Sequence, residues 1–75
     1  MERTGTSEAI LTVNGQPYSY QPGTIRELLA RLGLDPDRPG IAVAVNATVI
    51  PRFEWERVTL QPGDRVEIVH AVAGG

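Results

Sequence analysis

Cysteine is absent from this chain, and so is lysine. Without cysteine there is no disulfide to staple a small domain and no Cys/His set for a structural metal. Stability must therefore come from one tight apolar core. Seventy-five residues leave room for one domain, and a chain of that size buries only about 60% of its unfolded surface. The lack of cysteine also fits a reducing compartment. Without lysine, all seven basic residues are arginines, dispersed among nine acids rather than gathered into a stripe. That spacing argues against nucleic acid as a partner. It also excludes polymers built through this domain's own lysine side chains. Long apolar runs are missing too: nothing approaches the roughly 20 residues that cross a bilayer, and Met1–Ala9 is polar rather than signal-like. The expectation is a cytoplasmic protein that uses no membrane.

Reactive side chains are equally sparse. His70 is the one histidine, with no acid cluster around it in sequence, and reads as a surface or packing residue rather than a metal ligand. Ser7 and Ser19 have no His/Asp arrangement to make either a nucleophile. No Gly-rich loop offers to hold phosphates. The chain is therefore expected to be no enzyme, with no catalytic residue, no metal site and no cofactor of its own.

What is present is a full set of local structure signals. Ile10–Val13 is β-prone, and Asn14-Gly15 after it is the strongest short hairpin signal. Gln16–Tyr20 returns as a second strand, with Tyr18 and Tyr20 on one face and Pro17 suited to an edge. Gln21-Pro22-Gly23 carries the type II turn signature, and Thr24 with Glu27 forms a capping box. Ile25, Leu28, Leu29 and Leu32 then build one apolar helical stripe, which Gly33 stops. Leu34–Gly40 is a loop, with Pro36 and Pro39 blocking further helix. Ile41–Val45 is a strand with large residues on one face and alanines on the other. Asn46-Ala47 turns it into Thr48–Ile50, ended by Pro51. Arg52–Arg57 is irregular, with room for one helical turn. Phe53 and Trp55 there should cap the core, and Arg52 either pairs with an acid or meets a partner. A second Gln-Pro-Gly, Gln61–Gly63, reuses turn chemistry. Asp64 is placed to bond back across it. Arg65–Val69 is the final strand.

Strand, hairpin, strand, helix, then two or three more strands calls for an α+β domain. A mixed four- to five-stranded sheet carries one helix across one face, and the first and last strands pair centrally. Residues 1–8 read as a disordered lead-in, 9–70 as the domain, and 71–75 as a flexible tail. The last stretch, His70-Ala71-Val72-Ala73-Gly74-Gly75, loses its side chains toward the tip, so it can thread a narrow channel.

Several of these segments resemble the ThiS family, the ubiquitin-like β-grasp sulfur carriers of thiamin biosynthesis, over residues 10–75. They are Val13-Asn14-Gly15, Gly23-Thr24-Ile25-x-x-Leu28-Leu29, Ala44-Val45-Asn46, Ile50-Pro51-Arg52-x-x-Trp55, Leu60-x-x-Gly63-Asp64-x-Val66-Glu67-Ile68-Val69 and Val72-Ala73-Gly74-Gly75. The Pro-Arg-x-x-Trp segment separates them from the small subunit of molybdopterin synthase, which shares fold and tail. The extra N-terminal residues depart from the family pattern.

The resemblance implies that a ThiF-like adenylating enzyme, using ATP and magnesium, transfers AMP to the Gly75 carboxylate. A persulfide sulfur donor then converts it to a thiocarboxylate, which gives its sulfur to thiazole synthase. Gly74 and Gly75 are the sulfur-carrying residues, and the chain is a co-substrate. Ala42, Ala44, Val69 and Val72 are the candidate partner-docking residues. Alternatives are the molybdopterin synthase subunit, a β-grasp interaction module with an incidental Gly-Gly end, and a modifier conjugated to lysines of targets.

Overall fold

A computed structural model describes residues 9–71. The lead-in assigned to residues 1–8 and the tail beyond Ala71 lie outside the described residues. In chain order the elements are β1 (Ile10–Val13), β2 (Gln16–Ser19), α1 (Ile25–Arg31), β3 (Ile41–Val45), β4 (Thr48–Ile50) and β5 (Arg65–His70), with a 3₁₀ turn at Arg52–Glu54. The strands form one sheet in the order β2-β1-β5-β3-β4. β1 and β5 are parallel and every other neighbouring pair is antiparallel. The last strand is therefore the middle one, beside the first, as the two apolar ends of the chain require.

One face of the sheet and the apolar stripe of α1 enclose the core. Leu11, Val13, Ile41, Val43, Val66 and Ile68 come from the strands and Ile25, Leu28 and Leu29 from the helix, joined by Trp55 and Leu60. The alternation along β5 follows its letters: Val66 and Ile68 are buried while Arg65, Glu67 and Val69 are exposed. Every early helix amide has a partner. The Glu27 amide donates to Thr24 Oγ1, whose own amide donates to the Glu27 carboxylate. The Ile25 and Arg26 amides donate to the carbonyls of Val58 and Trp55. At the other end Gly33, at φ 81°, lets Leu34 donate back to the Leu29 carbonyl, a Schellman closure.

Two expectations are corrected and a third is narrowed. Phe53 does not cap the core; it is 72% exposed on the 3₁₀ turn, and Trp55 alone, 2% exposed, fills the end of the core. Of the two Gln-Pro-Gly triplets only the second makes the type II turn. Gly63 lies at φ 88° and the Asp64 amide donates to the Gln61 carbonyl. Gly23 lies at φ 158°, and a Cβ there would fall 2.6 Å from the Glu27 carboxylate that completes the capping box. For Arg52, read as pairing with an acid or meeting a partner, no ion pair with an acid is found among the described residues. Its guanidinium donates to the carbonyls of Pro36 and Arg38 and lies over the Trp55 ring, 4.7 Å from its centroid. The Pro-Arg-x-x-Trp segment is thus a latch that fastens the 34–40 loop to the core.

Candidate functional site

The chain's small terminal residues depart from β5, so the site begins with what holds that strand. On one side β3 pairs with it along its length, from Val45 opposite Val66 to Ile41 opposite His70. Past the strand the Ala71 amide donates to the Gly40 carbonyl at 2.7 Å. Gly40 lies at φ 87°, and a Cβ there would sit 3.3 Å from the Ala71 Cβ, so glycine makes this approach possible. On the other side β1 supplies only two rungs, Thr12 opposite Arg65 and Val13 opposite Val66. Asn14 then continues the ladder. Its amide donates to the Val66 carbonyl, its Oδ1 accepts from the Ile68 amide at 2.8 Å and its Nδ2 donates to the Ile68 carbonyl at 3.2 Å.

The start of β5 is held by a second asparagine. The Asn46 amide donates to the Arg65 carbonyl, the Arg65 amide donates to Asn46 Oδ1, and Asn46 Nδ2 donates to Asp64 Oδ1. Asp64 in turn accepts from the Gln61 amide at 2.8 Å, the bond across the turn that its sequence position suggests. Neither asparagine side chain was assigned this work from sequence. The usable signal was an asparagine at the first position of each two-residue turn, with a strand still to come.

The face of the sheet away from α1 holds three of the four candidate docking residues. Ala42 pairs with Val69, and Ala44 lies between Glu67 and Val49. Val69 is 62% exposed, Ala42 is exposed and Ala44 half-buried. Val49, 71% exposed on edge strand β4, adds to the same apolar surface and was not singled out from sequence. Its place follows only from the β3–β4 register. Val72, Gly74 and Gly75 lie outside the described residues.

His70 lines a shallow groove of about 430 Å³ on the helix side with Val13, Asn14, Tyr18, Leu34 and Ile68. Among the described residues no group of His, Cys, Asp or Glu is arranged to hold a metal ion, and no helix is long and apolar enough to cross a membrane.

One helix across a mixed five-stranded sheet, with the final strand at its centre and small residues leading out of it, defines a ubiquitin-like β-grasp domain. The comparisons make the class specific. The ThiS family model matches residues 11–75, and the chain belongs to that family. It is 36% identical over 52 residues to the sulfur carrier protein ThiS of Escherichia coli K12, a match covering 69% of this chain and 76% of that protein. It is 39% identical over 64 residues to a thiazole synthase of Magnetococcus marinus; the match takes in 84% of this chain but only 19% of that protein. The crystal structure of a thiamine biosynthesis protein (ThiS) from Geobacter metallireducens superposes with a TM-score of 0.73 at 30% identity, covering 88% of this chain and 99% of that one.

Proposed function

We propose that this chain is a sulfur carrier of thiamin biosynthesis, a co-substrate whose reactive centre is the acyl carbon of Gly75. The observation that carries the reading is the pairing of a ThiS-family β-grasp body with a terminal Val72-Ala73-Gly74-Gly75 leading out of its central strand. A carboxylate at neutral pH is a poor electrophile. Its oxygen therefore attacks the α-phosphorus of ATP inside a ThiF-like adenylating enzyme, which binds the nucleotide and magnesium, and pyrophosphate leaves. The terminal sulfur of a donor persulfide then attacks the acyl carbon and AMP leaves. A second thiol reduces the resulting acyl disulfide, forming a disulfide of its own and freeing the thiocarboxylate. Each of these steps takes place inside another protein, so the tip needs thinness rather than functional side chains.

Thiazole synthase is the proposed recipient of the sulfur. In support, a segment similar to this chain occurs within the Magnetococcus thiazole synthase. The proposed docking surface is the sheet face bearing Ala42, Ala44, Val49 and Val69, an apolar patch beside the strand that leads to the tail. The cysteine-free composition suits such chemistry in the cytoplasm, where thiols stay reduced.

Intact mass tests the reading. Incubation with ATP, magnesium, the cognate adenylating enzyme, a persulfide source and a thiol should add about 16 Da, sulfur for oxygen in the terminal acyl group. One residue appended after Gly75 should abolish the gain; AMP transfer to the extended chain would count against the proposal. Ala44→Glu should weaken AMP transfer without unfolding the domain, and unchanged transfer would remove that face as the dock.

A further inference from the structure

The backbone of β1 leaves β5 after Val66, yet β5 runs on to His70. Without a substitute partner, the Ile68 amide and carbonyl would lose their bonds on the β1 side. A primary carboxamide carries the donor and acceptor of a peptide group, and Asn14 presents its own to both atoms of Ile68 across a separation of 54 residues. It can do so because the turn places it at φ 50°, from which the side chain folds back along the ladder. With the Gly40 carbonyl holding the Ala71 amide on the opposite side, the chain is gripped from both flanks just before the tail.

We infer that Asn14 is a positioning residue for the tail: its carboxamide fixes the direction in which the chain leaves the domain, and so sets how productively Gly75 meets the adenylating site. The inference rests on the carrier reading above and assigns Asn14 no chemical step. Displacement of a reacting atom by 1 Å can cost on the order of a hundredfold in rate, so a carrier that docks normally but aims poorly should lose turnover rather than affinity.

Asn14→Gly keeps a residue at ease in the left-handed turn while removing the carboxamide. Asn46→Gly makes the same deletion at the far end of β5. Asn14→Gly should speed amide exchange at both Ile68 and Ala71. It should also lower kcat for AMP transfer roughly tenfold with KM within about twofold. Asn46→Gly should leave kcat unchanged. Asn14→Asp, which retains an acceptor for the Ile68 amide but sets a carboxylate oxygen against the Ile68 carbonyl, should also lower kcat and serves as the test should the glycine variant fail to fold. Loss of folded protein alone would raise the apparent KM and spare kcat. A kcat for Asn14→Gly equal to wild type, or an equal fall for Asn46→Gly, would overturn the inference alone. A wild-type chain that accepts no AMP from the cognate enzyme would overturn the carrier reading and the inference with it.

Discussion

The turns of the two hairpins that flank β5 share one plan and differ at one residue. Asn14-Gly15 has φ values of 50° and 82°, and Asn46-Ala47 of 51° and 72°, the double positive φ of the tight turn that suits twisted strands. Both asparagines turn a side-chain oxygen toward a β5 amide, Ile68 in one case and Arg65 in the other. The second position separates them. Glycine enters the left-handed region freely, whereas alanine is held there against a preference of about 1–2 kcal/mol. The shared asparagine bonds the turn to the middle strand; the residue after it changes the stability of the turn without touching that bond.

The largest effect should come from the brace of the second hairpin. Trp55 Nε1 donates to the Ile50 carbonyl at the end of β4, and the ring is buried beneath Arg52. Trp55→Ala should cost about 3–5 kcal/mol in denaturant unfolding followed by circular dichroism. A domain of this size has on the order of 4–11 kcal/mol in total. If amide exchange in the variant rises no more in β4 than in β2, the two hairpins are not braced separately.

Exchanging the turn residues gives the next effect and addresses the comparison directly. Gly15→Ala should destabilise by about 1–2 kcal/mol, purely through backbone conformation, since a Cβ at Gly15 meets nothing within 4 Å. Ala47→Gly should stabilise by a similar amount, about 1 kcal/mol, because the freedom glycine gives the unfolded chain enters both exchanges equally and with opposite sign. Equal melting temperatures for Ala47→Gly and wild type would show that the second turn carries no such strain.

The smallest effect should lie outside both hairpins. Two hydrogen bonds from Arg26 at 3.0 Å, with its charge, hold the Asp37 carboxyl below the ordinary carboxylate range. A carboxyl whose pKa is lowered by folding contributes stability above its unfolded pKa and loses it as pH falls through the lowered folded value. The difference between wild type and Asp37→Asn should be small at neutral pH, because the pair is exposed. It should vanish in acid and shrink in salt; a difference that persists below the carboxylate range would mean that Asp37 acts other than through its charge.

Local chemistry explains why most of the fold was legible in the sequence. Capping by Thr24 and Glu27, the stop at Gly33 and the inward alternation of Val66 and Ile68 are decided by neighbours within a few residues. Two of the misses turn on side-chain geometry only a few residues away, which the letters alone do not carry. Both Gln-Pro-Gly triplets carry the same letters, but the amide after the first donates to the Glu27 carboxylate, whereas the amide after the second donates back to the Gln61 carbonyl. Phe53 and Trp55 are both aromatic, and which one turns inward depends on the Ile50 carbonyl that accepts the indole proton. The candidate site divides in the same way. Ala42, Ala44 and Val69 could be placed on one face from period-two alternation, whereas Val49 and the carboxamide of Asn14 needed strand register and a partner 54 residues away.

The middle strand of this sheet is also the last to be synthesised. A nascent chain therefore cannot close its hydrophobic interior until residues 65–70 have left the ribosome, however early its hairpins and helix form. Products cut short before that point lack Val66 and Ile68 and should remain open to proteolysis. Folding here acts as a completeness check: every copy that survives as a compact body already possesses the strand from which its tail emerges.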